Sequence, residues 1–357
     1  MMNRYARQII LPQVGTSGQT ALKNSKVLLV GAGGLGLPCA QSLVAAGVGL
    51  ISVIDDDRVS LTNLQRQFLF NESDIGRYKV EVLREKLSAQ NFEVKIQAIV
   101  ARLDIGNVLD LIAEHDLVID GSDNFATKFL INDACLIKKI PWIYGSVSRF
   151  EGQVAVFTSA GPQGGHSCYR CLYEKTPVAK IENCAEQGVL GAVTGITGNY
   201  QALEALKILI RLNHVVRENS QNLLEPKIGV LQIFDFQSLD QQSLVIPKRS
   251  SCLCEHPEKI ELIAEEHTFC IYDSEKNWSD FEQDMNKKIL LDVRSPEEFQ
   301  IEHHDLGQLW DTSIAQRLAE TGLNDTGSIY LYCTTGKRAK SKCIELRSKG
   351  ITAYYIT

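Results

Sequence analysis

The stretch from Lys26 to Asp57 leaves this chain the fewest ways to fold. Val27-Leu28-Leu29-Val30 is a short, wholly apolar run, the pattern of a strand buried on both faces of a parallel sheet. Gly31-Ala32-Gly33-Gly34-Leu35-Gly36 follows without a spacer, and Pro38 to Gly47 then has helical spacing. A second apolar strand, 49–54, ends in Asp55, Asp56 and Asp57. This is a βαβ unit: glycines let the backbone approach a phosphate at a helix N-terminus, and an acid closing the next strand binds ribose hydroxyls. Gly31, Gly33, Gly34 and Gly36 are the candidate phosphate cradle, and Asp55 and Asp57 the candidate cofactor-binding acids, with Asp55 on the ribose. Taken alone, the pattern fits an NAD-dependent oxidoreductase, or a glycine-rich turn that holds no ligand.

Asn63 and Arg66, in Asp57-Arg-Val-Ser-Leu-Thr-Asn63-Leu-Gln-Arg66-Gln, place an amide and a guanidinium just beyond those acids. Arg offers paired hydrogen bonds to phosphate oxygens, so this run suits an extended triphosphate better than a pyrophosphate already held by helix amides. From Arg4 to about Pro247 the chain resembles the MoeB/ThiF family of ubiquitin-activating-type enzymes, which adenylate the C-terminal glycine of a ubiquitin-like sulfur carrier. The resemblance implies ATP and Mg²⁺ as cofactors.

Other sites follow along the chain. Arg4-Tyr-Ala-Arg7-Gln8-Ile-Ile-Leu-Pro12 reads, by residue type, as a solvated arm that packs its Ile and Leu on the body. The resemblance implies instead that Arg7 reaches the partner's nucleotide site in a homodimer. Ser73 or Asp74 is placed to cap a helix running through Val80, Leu83 and Leu87, with Lys79 near its start. A cation there gains nothing from the helix dipole, so a bound anion is the better reason for Lys79, which matches the family's phosphate-binding lysine. Asp116 to Asp120 is another apolar strand ending in acids, and Asp123-Asn124 follow at its carboxyl end, where open α/β sheets place ligands. Asp123 suits Mg²⁺ beside a triphosphate, or caps the next helix. The resemblance implies the metal, with Asn124 beside it and Arg66 and Asp123 in the catalytic set. It also places an arginine where this chain has Lys128, a change that keeps charge but loses the fork.

The net charge of −6 offers no electrostatic footprint for nucleic acid or an anionic membrane. No apolar run reaches the roughly 18 residues of a membrane span, and Met1 to Arg7 opens no signal-peptide core, so the expected compartment is the cytoplasm. There, ten cysteines point to metal ligands and reactive thiols rather than disulfides. Cys168-Tyr-Arg-Cys171 pairs in principle with Cys252-Leu-Cys254, four thiolates for tetrahedral Zn²⁺. The family carries this structural zinc with C-x-x-C in both halves. Here the second half is C-x-C, which leaves His256 as a substitute ligand. Cys184 lies in a polar, glycine-punctuated loop where the family has its reactive cysteine. Glycines at 191, 195 and 198 precede a helix from Tyr200 to Leu212, with Leu203, Leu206 and Ile210 on one face and Glu204, Lys207 and Arg211 on the other.

A chain of 357 residues exceeds the size at which one core stops growing, which predicts two domains. Past Pro247 the pattern weakens, with one short strand candidate at Thr268 to Tyr272. It returns at Lys288-Ile-Leu-Leu-Asp292-Val-Arg294-Ser-Pro-Glu-Glu298-Phe and at Ser328 to Tyr332, which leads into Cys333-Thr-Thr-Gly336-Lys337-Arg338. A thiol between a strand and a helix N-terminus, beside two cations, is placed to ionise. Otherwise it is a buried cysteine ending a strand. This segment resembles a rhodanese domain, D-V-R-x-x-x-E-[FY] with active loop C-x-x-G-x-R. It departs at His303 to Trp310 and in closing on a last strand, Tyr354 to Thr357, without the family's final helix.

The expected architecture is α/β: a doubly wound, mostly parallel Rossmann-like sheet over 1–250, a zinc-ligand tail and linker over 251–284, and a short rhodanese-like unit over 285–357. The expected reaction is ATP-dependent adenylation of a small carrier ending in Gly-Gly. Sulfur from a cysteine desulfurase or other donor then passes through Cys333, with Cys184 releasing a thiocarboxylate. The sequence does not distinguish among molybdopterin, thiamin, tRNA thiolation or a secondary metabolite as the pathway served. A non-catalytic carrier-docking protein is the remaining alternative.

Overall fold

The computed structural model describes residues 4–158, 167–174, 188–212 and 224–262. In the C-terminal part it describes 275–276, 278–283, 288–301, 304–305, 307–310, 328–333, 338–339, 342–343, 346 and 353–356. Cys184, the strand candidate at 268–272, His303 and the loop residues 334–337 lie outside them. The chain divides into two compact units, Met1–Thr268 and Phe269–Thr357.

Unit 1 is built on eight strands: β1 (Lys26–Val30), β2 (Leu50–Ile54), β3 (Lys95–Ile99), β4 (Leu117–Asp120), β5 (Trp142–Ser148), β6 (Glu151–Phe157), β7 (Val230–Asp235) and β8 (Asp240–Val245). Their order in the sheet is β3-β2-β1-β4-β5-β6-β7-β8. The first five run parallel and the last three antiparallel. The alternation along β1 sets its two faces. Val27 and Leu29 enter a core with the Gly36–Ala46, Lys79–Gln90 and Gly191–Leu212 helices, and Leu28 and Val30 enter another with the Val108–Ala113 and Phe125–Lys138 helices. Each such side chain, buried completely, contributes about 1.5–3 kcal/mol. Chain order reverses between β1 and β4, so their carboxyl ends open a crevice.

Three expectations change here. Ser73 and Asp74 do not cap the Lys79–Gln90 helix. Asn71 caps a short 3-10 turn, Glu72–Asp74, and Tyr78 precedes the helix. The helix expected from Tyr200 starts at Gly191, and two adjacent residues stand opposite to the faces read from sequence: Leu203 is 46% exposed and Glu204 1% exposed, whereas Ile210 is buried and Arg211 exposed as expected. Glu204 is satisfied by Lys207 Nζ at 2.7 Å and the Lys227 amide at 3.0 Å, so this carboxylate ties the helix to the chain entering β7. The N-terminal arm leaves Ile10 and Leu11 exposed. Polar groups pin it instead: Gln8 Nε2 donates to the Ala46 carbonyl at 3.1 Å, and Tyr5 Oη to Glu93 at 2.9 Å.

Unit 2 is a five-stranded parallel sheet of β9 (Glu275–Lys276), β10 (Lys288–Asp292), β11 (Gly307–Leu309), β12 (Ser328–Tyr332) and β13 (Ala353–Ile356), in the order β11-β10-β12-β13-β9. Ile329 and Leu331 of β12 face one core, with Cys333 and Cys343; Tyr330 and Tyr332 face another, with Phe281.

Candidate active site

The glycine turn closes on itself as a cradle. Gly31 has φ +95°, a left-handed conformation, and a Cβ on it would stand 2.8 Å from the Gly121 carbonyl oxygen. A Cβ on Gly36 would overlap the Gly31 carbonyl. The turn after β1 and the turn after β4 are thus in backbone contact across the crevice.

Asp55, at the end of β2, accepts hydrogen bonds from the amides of Ala32 and Asp57, each at 2.7 Å. Burial pushes its carboxyl above the usual carboxylate range, against the Lys79 charge and those two amides. Lys79, the first residue of its helix and 5% exposed, pairs with Asp57 at 2.7 Å. The anion expected beside Lys79 is therefore supplied here by Asp57. Arg58 stacks on Tyr78 at 3.8 Å and donates to the Gly76 carbonyl at 2.6 Å, which fixes the same turn.

Asn63 closes a short 3-10 turn, Leu61–Asn63, and its Oδ1 accepts from the Ser60 amide at 3.2 Å. Arg66 donates to the Thr62 carbonyl at 2.9 Å. Gln67, next in the chain, was not singled out by sequence. It is 3% exposed, its Oε1 has no hydrogen-bond partner among the described residues, and its Nε2 lies 4.0 Å from where a Gly33 Cβ would stand. One helical turn separates it from Asn63, the signal that would have found it.

Asp123 sits exposed beyond β4. The helix cap that competed for it belongs to Asn124, whose Oδ1 accepts from the Thr127 amide at 2.9 Å. The buried Lys128 ammonium donates to Asp120 Oδ2 at 2.5 Å, the Gly145 carbonyl at 2.8 Å and the Ser122 carbonyl at 2.9 Å. All three of its N–H groups are used, so three single bonds do the work expected of a fork.

Cys168, Cys171, Cys252 and Cys254 form a second centre in unit 1. Their sulfurs all lie within 4.8 Å of one another, with Cys168 to Cys252 at 3.5 Å, Cys171 to Cys254 at 3.8 Å and Cys168 to Cys171 at 4.0 Å. Tetrahedral Zn²⁺ with Zn–S of about 2.3 Å requires sulfur pairs about 3.8 Å apart, so the donor set fits the ion. His256 faces Glu258 at 3.3 Å and is no member of the cluster. Thiol hydrogen bonds from its three neighbours hold Cys171 far below the usual thiol range. The knuckle is clamped to the Phe125–Lys138 helix, with Asn132 Oδ1 accepting from the Tyr169 amide at 2.9 Å and Asp133 taking two bonds from Arg170.

In unit 2, Cys333 follows β12 and is 9% exposed. Its sulfur accepts from the Ala339 amide at 3.4 Å, so helix backbone does face the thiol. Arg338, one of the two cations expected beside it, lies in electrostatic reach of Cys333 and also pairs with Glu298 through two bonds at 2.6 and 2.7 Å. Asp292 and Arg294 of the D-V-R run pair at 2.7 Å.

A sulfur carrier protein adenylyltransferase of Thermus thermophilus is 40% identical over 275 residues, 75% of this chain and 96% of that protein. The probable adenylyltransferase/sulfurtransferase MoeZ of Mycobacterium tuberculosis is 34% identical over 361 residues, 98% of this chain and 89% of its own length, so the likeness runs through both units. Among solved structures, Escherichia coli MccB with ATP has a similar fold, with TM-score 0.59 and 22% identity over 70% of this chain and 73% of that one. The ThiF family model matches residues 5–254, and the chain belongs to that family.

Proposed function

We propose that this protein adenylates the C-terminal glycine of a small ubiquitin-like sulfur carrier with ATP and then hands it sulfur. The observation that carries the reading is the crevice between β1 and β4, where the glycine turn and the Asp123 turn touch. The carrier's carboxylate oxygen attacks the α-phosphorus, the bond to the β-phosphate oxygen breaks, and pyrophosphate leaves. No protein nucleophile takes part, so positioning and charge supply the catalysis.

Gly31, Gly33, Gly34 and Gly36 offer backbone to the phosphates. Two of Asp55's roughly four acceptor positions are used, which leaves room for ribose hydroxyls. Asn63, Arg66 and Lys79 supply polar and positive groups for the triphosphate, with Asp57 poised to release Lys79 to it. The Gln67 Oε1, without a partner among the described residues, would accept a further hydrogen bond there. Asp123, whose carboxylate makes no hydrogen bond or ion pair among the described residues, would hold Mg²⁺ beside Asn124. Bound there, the ion would neutralise phosphate charge as it develops. Zn²⁺ on the four cysteines would be structural. Arg7 is exposed on a pinned arm flanked by exposed Ile10 and Leu11, an arrangement suited to a homodimer in which Arg7 serves the partner's site.

For sulfur transfer, a Cys333 persulfide would displace AMP from the acyl-adenylate to give an acyl disulfide. The Cys184 thiolate would then attack the Cys333 sulfur, breaking the S–S bond to the acyl group, releasing the thiocarboxylate and leaving a Cys184–Cys333 disulfide that an external dithiol reduces for the next turnover. The oxidoreductase reading loses its ground, since the relatives named above are adenylyltransferases. ATP–pyrophosphate exchange with a Gly-Gly carrier tests the proposal. The exchange should require Mg²⁺ and fall at least about a hundredfold in Asp123→Ala, the scale of losing one preorganised charge-stabilising group. Full exchange in that variant would remove Asp123 from the metal site.

A further inference from the structure

The turn that carries Asp123 is fixed at every residue around it. Asp120 Oδ1 accepts from the Ser122 amide at 3.0 Å and its hydroxyl at 2.6 Å, and the Ser122 carbonyl is held by Lys128 at 2.9 Å. Gln201 Nε2, from the Gly191–Leu212 helix, donates to the Asp120 carbonyl at 2.8 Å. Gly121 abuts Gly31, and Asn124 caps its helix. Within this frame Asp123 alone carries a side chain with no bond among the described residues.

The frame is assembled by one ammonium. Lys128 joins the end of β4 (Asp120), the turn (Ser122) and β5 (Gly145), and it is 5% exposed beside an Asp120 that is 0% exposed. Burying such a pair costs several kcal/mol per ion before their attraction offsets it, and apolar side chains hold strands together without that cost. What an apolar side chain lacks is the means to orient a carbonyl and a carboxylate at once. Every donor of Lys128 is engaged by protein, so it has none left for substrate.

We propose that Lys128, through its pair with Asp120, is a positioning residue for adenylation that sets where the Asp123 carboxylate stands relative to the glycine cradle. This rests on the reading of Asp123 as the Mg²⁺ acid. Arginine, with five donors, also reaches a carboxylate and two carbonyls, whereas methionine of similar length reaches none.

The test uses the full chain as wild type, Lys128→Met, Lys128→Arg and the double variant Asp120→Asn/Lys128→Met, which leaves no ion buried alone. Three quantities are read: melting temperature, calorimetric affinity for a non-hydrolysable ATP analogue with and without Mg²⁺, and the Mg²⁺ dependence of pyrophosphate exchange. In the double variant, analogue affinity without Mg²⁺ should stay within about twofold of wild type while the gain on adding Mg²⁺ disappears and exchange falls about a hundredfold, the scale of a 1 Å misplacement. Lys128→Arg should keep both the Mg²⁺ gain and the exchange near wild type. A double variant that melts lower yet keeps the Mg²⁺ gain and exchange would overturn the proposal, and so would equal loss of analogue affinity with and without Mg²⁺, because either marks a purely structural pair. Absence of analogue binding and exchange in the unaltered protein would overturn the adenylation reading itself, and this inference with it.

Discussion

At Gly36 one turn of backbone passes so close to another that the Gly31 carbonyl occupies the place of a side chain. Gly36→Ala must push the turn open, and overpacking of this kind costs about 1–3 kcal/mol. Urea denaturation should show that loss, together with weakened binding of an ATP analogue; Gly76, whose Cβ would meet nothing within 4 Å, provides a control in which only the left-handed backbone is strained. Wild-type stability and affinity in Gly36→Ala would contradict the cradle. The glycines and Asp55 were legible because their residue types are demanded by backbone geometry and by position at strand ends. Gln67 and the partners of Lys128 were not, since an orphaned acceptor or a three-way ammonium exists only once distant strands meet. Leu203 and Glu204 were read the wrong way round for a related reason. A helix buried on most of its surface carries polar groups inward wherever a partner waits, as Lys207 and the Lys227 amide do for Glu204.

Elements add two further tests. The cysteine knuckle before the Tyr169–Leu172 turn and the C-x-C segment around Leu253–Glu255 are short, and their sulfurs meet at tetrahedral spacing. Elemental analysis should find about one zinc per chain, and Cys254→Ser should lower both zinc content and melting temperature, because a structural thiolate site contributes directly to folding. A zinc-free protein of undiminished stability that gains nothing from added zinc would sink this assignment. In unit 2 the Glu298 carboxyl is held down at about 2, first by Arg338 and then by the Ser295 amide. Its folded-state value lies below its ordinary 4.5, so its contribution is fully present above that pH and is lost as pH falls through about 2. The pair is 39% and 40% exposed, hence screened by salt and modest. Glu298→Gln should flatten the fall in stability of the full chain across that window, and an unchanged pH profile would contradict the pair's role. The two-residue β9 and the three-residue β11 are too short to leave an apolar run, whereas the strands β1, β2, β4, β10 and β12 announced themselves as such runs. β8 did not, because as an edge strand with exposed residues it has no buried face to leave a pattern. The first turns of the Gly191–Leu212 helix were hidden by glycines, two of them at close backbone approaches: a Cβ on Gly191 would strike the Gln65 carbonyl and one on Gly198 the Leu35 carbonyl.

On the scale of the whole molecule, each of the two units places a candidate reactive group where a parallel strand ends: Asp123 beyond β4 and Cys333 beyond β12. That rule made both positions readable from sequence, since buried parallel strands expose only their termini. The division of labour between the units was readable only through family resemblance, because no local pattern states that one unit makes the activated acyl group the other consumes. No helix among the described residues is long and apolar enough to cross a membrane. The central claim is that a carrier's terminal carboxylate is activated by ATP on unit 1 and receives sulfur through unit 2. Mass spectrometry of a Gly-Gly carrier incubated with the protein, ATP, Mg²⁺ and a sulfur donor tests it most directly. Wild-type protein should convert the terminal carboxylate to a thiocarboxylate, Cys333→Ala should stop at the acyl-adenylate, and Asp123→Ala should leave the carrier unmodified. A carrier that stays unmodified with wild-type protein, or a thiocarboxylate formed without Cys333, would contradict the account.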